Sequence, residues 1–152
     1  MIQVPHTYAE WASVLDMLKE KQDDEAVLAA MQQGTLEWQS GVAERFSNRL
    51  IDAVNARLNA ASDKFRKDMS RTGGQEGAIV RALRDLRKEM AFLAKAIDVP
   101  ALPDEDRKQY RQLVLTQADS MQKSLEDSAK ADRSGKMSSI VRNHKVNVFQ
   151  EG

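Results

Sequence analysis

Apolar residues recur along most of this chain at the three- and four-residue spacing of α-helices. The cleanest run is Ile79, Leu83, Leu86, Met90, Leu93 and Ile97, in alternating steps of four and three. That is a heptad seam, and it predicts a helix over Gln75–Asp98. Upstream, Val42, Phe46, Leu50, Val54, Leu58, Ala61, Phe65 and Met69 mark one face of a longer helix, predicted over Leu36–Arg71 with Thr35 as its N-cap. At about 1.5 Å per residue it would run roughly 50 Å and overhang its successor by about a dozen residues, so other segments must cover it. Thr72-Gly73-Gly74 separates the two and permits a reversal, which makes them an antiparallel hairpin.

A third long helix is predicted over Asp104–Asp132. Pro100 and Pro103 keep the connector before it extended, and Asp104-Glu105-Asp106 suits the positive end of the helix dipole. Its inward face reads Tyr110, Val114, Ala118, Met121, Leu125 and Ala129, thin in large apolar groups. Near the N-terminus, Thr7 and Glu10 have capping-box spacing and open a helix from Tyr8 to about Lys21 that would bury Trp11, Val14, Leu15 and Leu18. A short helix then begins at Asp23-Asp24-Glu25, carries Ala26, Val27, Ala30 and Met31, and stops at Gly34 as a C′ glycine. The expected fold is all-α: a bundle of three long helices, an antiparallel hairpin plus a third helix, with a short N-terminal helical pair over one end. Residues 1–135 form a single helical domain in this reading. A helical hairpin that dimerises along its seam as a coiled coil is the alternative.

The last segment, 136–152, departs from the pattern. Met137, Ile140 and Val141 suit one or two helical turns, whereas Val146, Val148 and Phe149 fit no helical period. Together with Trp38 and Val42, at the overhanging start of the long helix, these are the expected partner-binding residues.

Composition agrees with helices: charged residues make up 30% of the chain and aromatics only 5%. There is no cysteine, which excludes disulfides, thiolate metal sites and cysteine nucleophiles and suits a reducing compartment. No run of about twenty apolar residues occurs, and the first residues show neither a basic n-region nor an apolar h-region. A cytoplasmic protein with no membrane partner is expected.

Charge sharpens the picture. The net charge is zero, but residues 1–40 carry −5, 41–97 carry +5, 98–132 carry −3 and 133–152 carry +3. Within the basic centre, Arg81, Arg84, Lys88 and Lys95 stand at offsets 0, 3, 7 and 14, on the face opposite the heptad seam. Arg45, Arg49, Arg57, Lys64, Arg66, Lys67 and Arg71 line the preceding helix less regularly. Facing one side, the two sets would make a phosphate-binding surface. Against it, Asp52, Asp63, Asp68, Asp85 and Glu89 are interspersed, and no aromatic accompanies the stripe to stack on bases. A solvated, salt-bridged face is the competing reading.

Candidate chemistry is sparse. His6 and His144 are the only histidines, and neither follows a glutamate by three residues as a di-iron helix bundle requires. No zinc-protease motif, phosphate-binding glycine loop or dinucleotide fingerprint occurs. The carboxylate runs at Asp23 and Asp104 lack calcium-loop spacing. No cofactor or metal is therefore expected. These features predict a non-enzymatic helical interaction protein (an adaptor, assembly subunit or small inhibitor) that binds a protein partner or a second copy of itself. Nucleic-acid binding through Arg81, Arg84, Lys88 and Lys95 is the alternative.

Overall fold

A computed structural model of the protein describes residues 2–36, 41–71, 73, 75–130 and 134–144, with the side chains of Ala43 and Ser128 excepted. Among these residues all regular structure is helical: α1 (Tyr8–Lys19), α2 (Asp24–Gln33), α3 (Val42–Ser70), α4 (Glu76–Ile97), α5 (Asp104–Ala129) and α6 (Lys136–Asn143). The described residues divide into two compact units. One comprises Met1–Asn59 with Leu93–Arg111, the other Ala60–Phe92 with Gln112–Gly152.

In the first unit, α1 opens on the expected capping box. Thr7 Oγ1 accepts from the Glu10 amide at 3.2 Å, and Glu10 Oε1 accepts from the Thr7 amide at 3.2 Å and the His6 amide at 3.0 Å. α1 packs on α2. Trp11, Val14, Leu15 and Leu18 are all buried, and the Trp11 ring meets Phe46 of α3 edge-on at 5.0 Å and 77°. The indole N–H, which needs a partner once buried, donates to the Thr35 carbonyl at 2.9 Å.

Two sequence expectations change here. Thr35 does not cap α3, which begins at Val42. Its amide donates to the Pro5 carbonyl at 3.0 Å, and its hydroxyl lies 2.7 Å from His6 Nδ1, so it is tied to the N-terminal segment. α3 is correspondingly shorter, 29 residues against 22 for α4, and α1 lies over its first turns. Gly34 ends α2 with φ −69°, not in the left-handed conformation of a C′ glycine. It is glycine for want of space: a Cβ there would stand 2.4 Å from Trp11 Cζ2 and 3.0 Å from Pro5 Cγ.

The turn between α1 and α2 holds two side-chain-bearing residues in the left-handed region, Lys21 at φ 60° and Asp23 at φ 51°. Each such residue costs about 1–2 kcal/mol. Arg57 of α3 grips both ends of that turn. Its Nη1 donates to the Leu18 carbonyl at 3.2 Å and to Asp24 Oδ1 at 2.9 Å, and its Nη2 to Asp24 Oδ2 at 2.8 Å. Arg57 is only 4% exposed, so it is no part of a basic surface.

In the second unit, the seam residues Ile79, Leu83, Leu86 and Met90 of α4 are buried; Leu93 and Ile97, in the first unit, are buried as well. The α3 stripe behaves differently along its length. Phe46, Leu50, Val54 and Leu58 are buried, whereas Ala61, Phe65 and Met69 are only half-buried. On α5, Val114, Ala118 and Ala129 are buried as expected, but Met121 and Leu125 are half-buried and Gln122 takes the inward place. The Gln122 amide remains satisfied there by donating from Nε2 to Glu126 Oε1 at 3.0 Å. α6 buries Ile140 and Val141.

Candidate functional site

With the seam of α4 turned inward, its basic residues face outward. Arg81, Arg84, Asp85, Arg87, Lys88 and Ala91 line an open depression of about 500 Å3 in the second unit. Four cations therefore face one carboxylate. Arg81, Arg84 and Lys88 are exposed and Arg87 is half-buried. No ion pair among the described residues uses Arg81, Arg84 or Lys88. Asp85 is engaged from outside the helix: Lys64 Nζ of α3 donates to its Oδ2 at 3.4 Å and to Asp68 Oδ2 at 3.0 Å. Those hydrogen bonds, that to Asp68 foremost, hold the Lys64 ammonium above its ordinary pKa. The one anion in the depression is thus shared with a cation of another helix.

Arg87 is the lining residue that the offsets 0, 3, 7 and 14 miss. It sits next to the seam residue Leu86, and its membership depends on side-chain reach rather than on helical angle. Lys95 belongs to the first unit and does not line the depression; its carbonyl accepts from Gln32 Nε2 at 3.2 Å.

The first unit has its own open depression, about 450 Å3, between α1 and α3. Here two of the three lining cations, Lys19 and Arg49, are paired, and Arg45 is the third. Lys19 Nζ lies 2.9 Å from Asp52 Oδ2, and Arg49 reaches Asp16 through Nε at 3.3 Å and Nη2 at 3.2 Å. Hydrogen bonds to Asp52 raise the Lys19 pKa, and those to Tyr8 and then Asp16 raise that of Arg49. Elsewhere on α3, Arg66 pairs with Asp63 one turn earlier. Four of the α3 cations are therefore not a continuation of the α4 row: Arg57 is buried, and Arg49, Lys64 and Arg66 each hold a carboxylate.

Of the expected partner-binding residues, Trp38, Val146, Val148 and Phe149 lie outside the described residues. Val42 is half-buried at the first position of α3, and Met137 is half-buried on α6. The side chains of Ile140 and Val141 are taken up inside the second unit. Among the described residues no three of His, Asp and Glu come together as a metal site requires, and no helix is long and apolar enough to cross a membrane.

Fold and site define an all-helical protein with two open, cation-lined depressions, one of them crossed by two ion pairs between α1 and α3. No protein-family model, no curated protein and no solved structure matches the chain.

Proposed function

We propose that this chain is a non-enzymatic helical interaction protein, an adaptor, assembly subunit or small inhibitor that acts by binding a macromolecular partner in the cytoplasm. The observation that carries this reading is the change along α3. Four successive stripe residues are sealed, and then Phe65 and Met69 keep part of their surface in water. These two lie four residues apart and so adjoin on one helix face. Phe and Met are also residue types enriched where proteins meet. A partner helix, or the same face of a second copy, would complete the coverage that α3 has over its first half. In this reading α3, α4 and α5 form the three-helix bundle of one domain, and Val146, Val148 and Phe149 add a short recruiting segment after α6.

The test is affinity capture of the tagged full chain from native cells after nuclease treatment, beside the variant Phe65→Ser/Met69→Ser. Nuclease-resistant partners, or self-association, should disappear with the variant while its helical circular dichroism is retained. Recovery of the same proteins by both forms rejects the reading. Removing residues 145–152, rather than all of 136–152, tests the recruiting segment without deleting the buried Ile140 and Val141.

A second reading, nucleic-acid binding, is favoured by a separate observation: Arg81, Arg84 and Lys88 of α4 are exposed and form no ion pair among the described residues. Phosphate neutralisation by Lys and Arg supplies sequence-independent affinity for nucleic acids.

A further inference from the structure

We infer that the α4 depression binds the phosphodiester backbone of nucleic acid without reading its sequence, through Arg81, Arg84 and Lys88, and that Lys64 acts as a positioning residue by drawing off Asp85. This rests on the second reading above and assigns it a site.

Placement comes first. Arg81, Arg84 and Lys88 fall within an arc of about 60° on α4 and rise by about 4.5 Å and then 6 Å along its axis. They form a row, not a point cluster, and the depression they line is open. A linear polyanion can lie along such a row. Ala91 contributes only a methyl group between the long side chains, which leaves room for a backbone to approach.

Charge comes second. A basic helix face is ordinarily neutralised by its own carboxylates at i±3 and i±4. Asp85 stands four residues after Arg81 and three before Lys88, where it could serve either. Its nearest cation is instead Lys64 of α3, at 3.4 Å. Lys64 thus adds a positive charge beside the row and occupies the one lining anion.

The choice of ligand comes third. Tight protein–protein contacts depend on apolar or aromatic anchors seated in pockets. This depression offers no such pocket, since every lining residue but Ala91 is charged. An aromatic platform for bases is equally missing from the lining, so base stacking adds nothing. What the site supplies is guanidinium forks and an ammonium, which suit phosphate oxygens and draw affinity from counterion release.

The test measures binding of the full chain to fluorescent random-sequence 20-nucleotide strands, single and duplex, by anisotropy at several salt concentrations. With three phosphates neutralised, log affinity should fall against log salt with a slope of about −2.7, roughly a 40-fold loss between 50 and 200 mM. Arg81→Gln/Arg84→Gln/Lys88→Gln should bring the slope close to zero and weaken binding by at least about tenfold at low salt. Asp85→Asn, which removes the lining anion while Lys64 keeps Asp68, should tighten binding by a few-fold. Lys19→Gln/Arg49→Gln, in the paired depression, should leave affinity unchanged. No binding by the wild-type chain at 50 mM salt overturns both the assignment and the nucleic-acid reading. Binding that survives the triple substitution, or a neutral Asp85→Asn, overturns the assignment alone and places the nucleic acid elsewhere. Competition by polyglutamate as effective as that by unlabelled DNA, at equal charge, overturns the phosphodiester specificity.

Discussion

The depression between α1 and α3 and the depression on α4 enclose similar volumes, about 450 and 500 Å3, and both are lined by long cationic side chains. They differ in what the cations meet. In the first unit Lys19 of α1 finds Asp52 of α3, Arg49 of α3 finds Asp16 of α1, and the deeper Arg57 reaches both the Leu18 carbonyl and Asp24. Charge there fixes how α1, α2 and α3 fit together. In the second unit Arg81, Arg84 and Lys88 of α4 form no ion pair among the described residues, and Asp85 beside them is held by Lys64 of α3. The same contrast runs through the apolar residues, where α3 is sealed from Phe46 to Leu58 and half-open from Ala61 to Met69. One unit uses its side chains on itself, and the other holds some of them at its surface.

The largest expected effect tests whether the first unit depends on its internal charges. Asp24→Ala leaves the Arg57 guanidinium, 3% exposed at its side chain, without its bidentate partner, and should destabilise by about 3–5 kcal/mol. Arg57→Met should cost less, about 1–2 kcal/mol, because Asp24 is 31% exposed and can be solvated, while methionine fills much of the vacated volume. Urea unfolding of both variants decides it. The reverse order would mean that packing around Arg57, not its charge, closes the α1–α2 turn.

Next comes the apolar comparison. Phe46 is fully buried against Trp11, and Phe46→Ala should cost about 3–5 kcal/mol. Phe65→Ala, one residue type on the same helix face, should cost about half of that, because part of its ring already meets water. Equal losses in chemical denaturation would show that the second unit is as closely packed as the first.

Smaller again is Gly34→Ala. The new methyl would meet the Trp11 ring, which is fully buried and fixed by its hydrogen bond to the Thr35 carbonyl, and should cost about 1–3 kcal/mol. Gly41→Ala has open space, and only its φ of +85° opposes it, at about 1–2 kcal/mol. In a Trp38→Phe background, Trp11 fluorescence separates the two: it should change with Gly34→Ala and not with Gly41→Ala.

Much of the scaffold is legible in the sequence because local rules govern it. The heptad seam predicts six α4 residues, all of them buried, and the Thr7–Glu10 spacing predicts a capping box that forms. What is not legible depends on partners far along the chain. Arg57 looks like a surface cation beside Leu58, and its burial is set by Asp24, 33 residues away. Gly34 resembles a helix stop, but its identity is set by the Trp11 ring. The α3 stripe has one period throughout, and period alone cannot say where coverage ends. On α5, sparse apolar residues left Met121 and Gln122 competing for the inward place, and four-residue steps from Tyr110, Val114 and Ala118 continue to Gln122. The basic row was readable as a pattern; that Asp85 turns to Lys64, that Arg87 joins and that Lys95 does not required coordinates.

The smallest effect sharpens the comparison at one helix end. Glu10 accepts hydrogen bonds from the His6 and Thr7 amides, and the His6 bond foremost lowers its pKa below the ordinary glutamate value. A carboxylate whose folded pKa is depressed stabilises the fold fully above its unfolded pKa, and loses that contribution as pH falls through the folded value. Acidification from neutral through the ordinary glutamate range and below it should therefore loosen the start of α1. Amide exchange at His6, Thr7 and Glu10 should accelerate, with little change in the amides of α4. Glu10→Gln retains an acceptor but not the charge, so its amide protection should be lower at neutral pH and nearly flat across the same range. A variant that keeps the wild-type pH dependence would show that Glu10 is not its source.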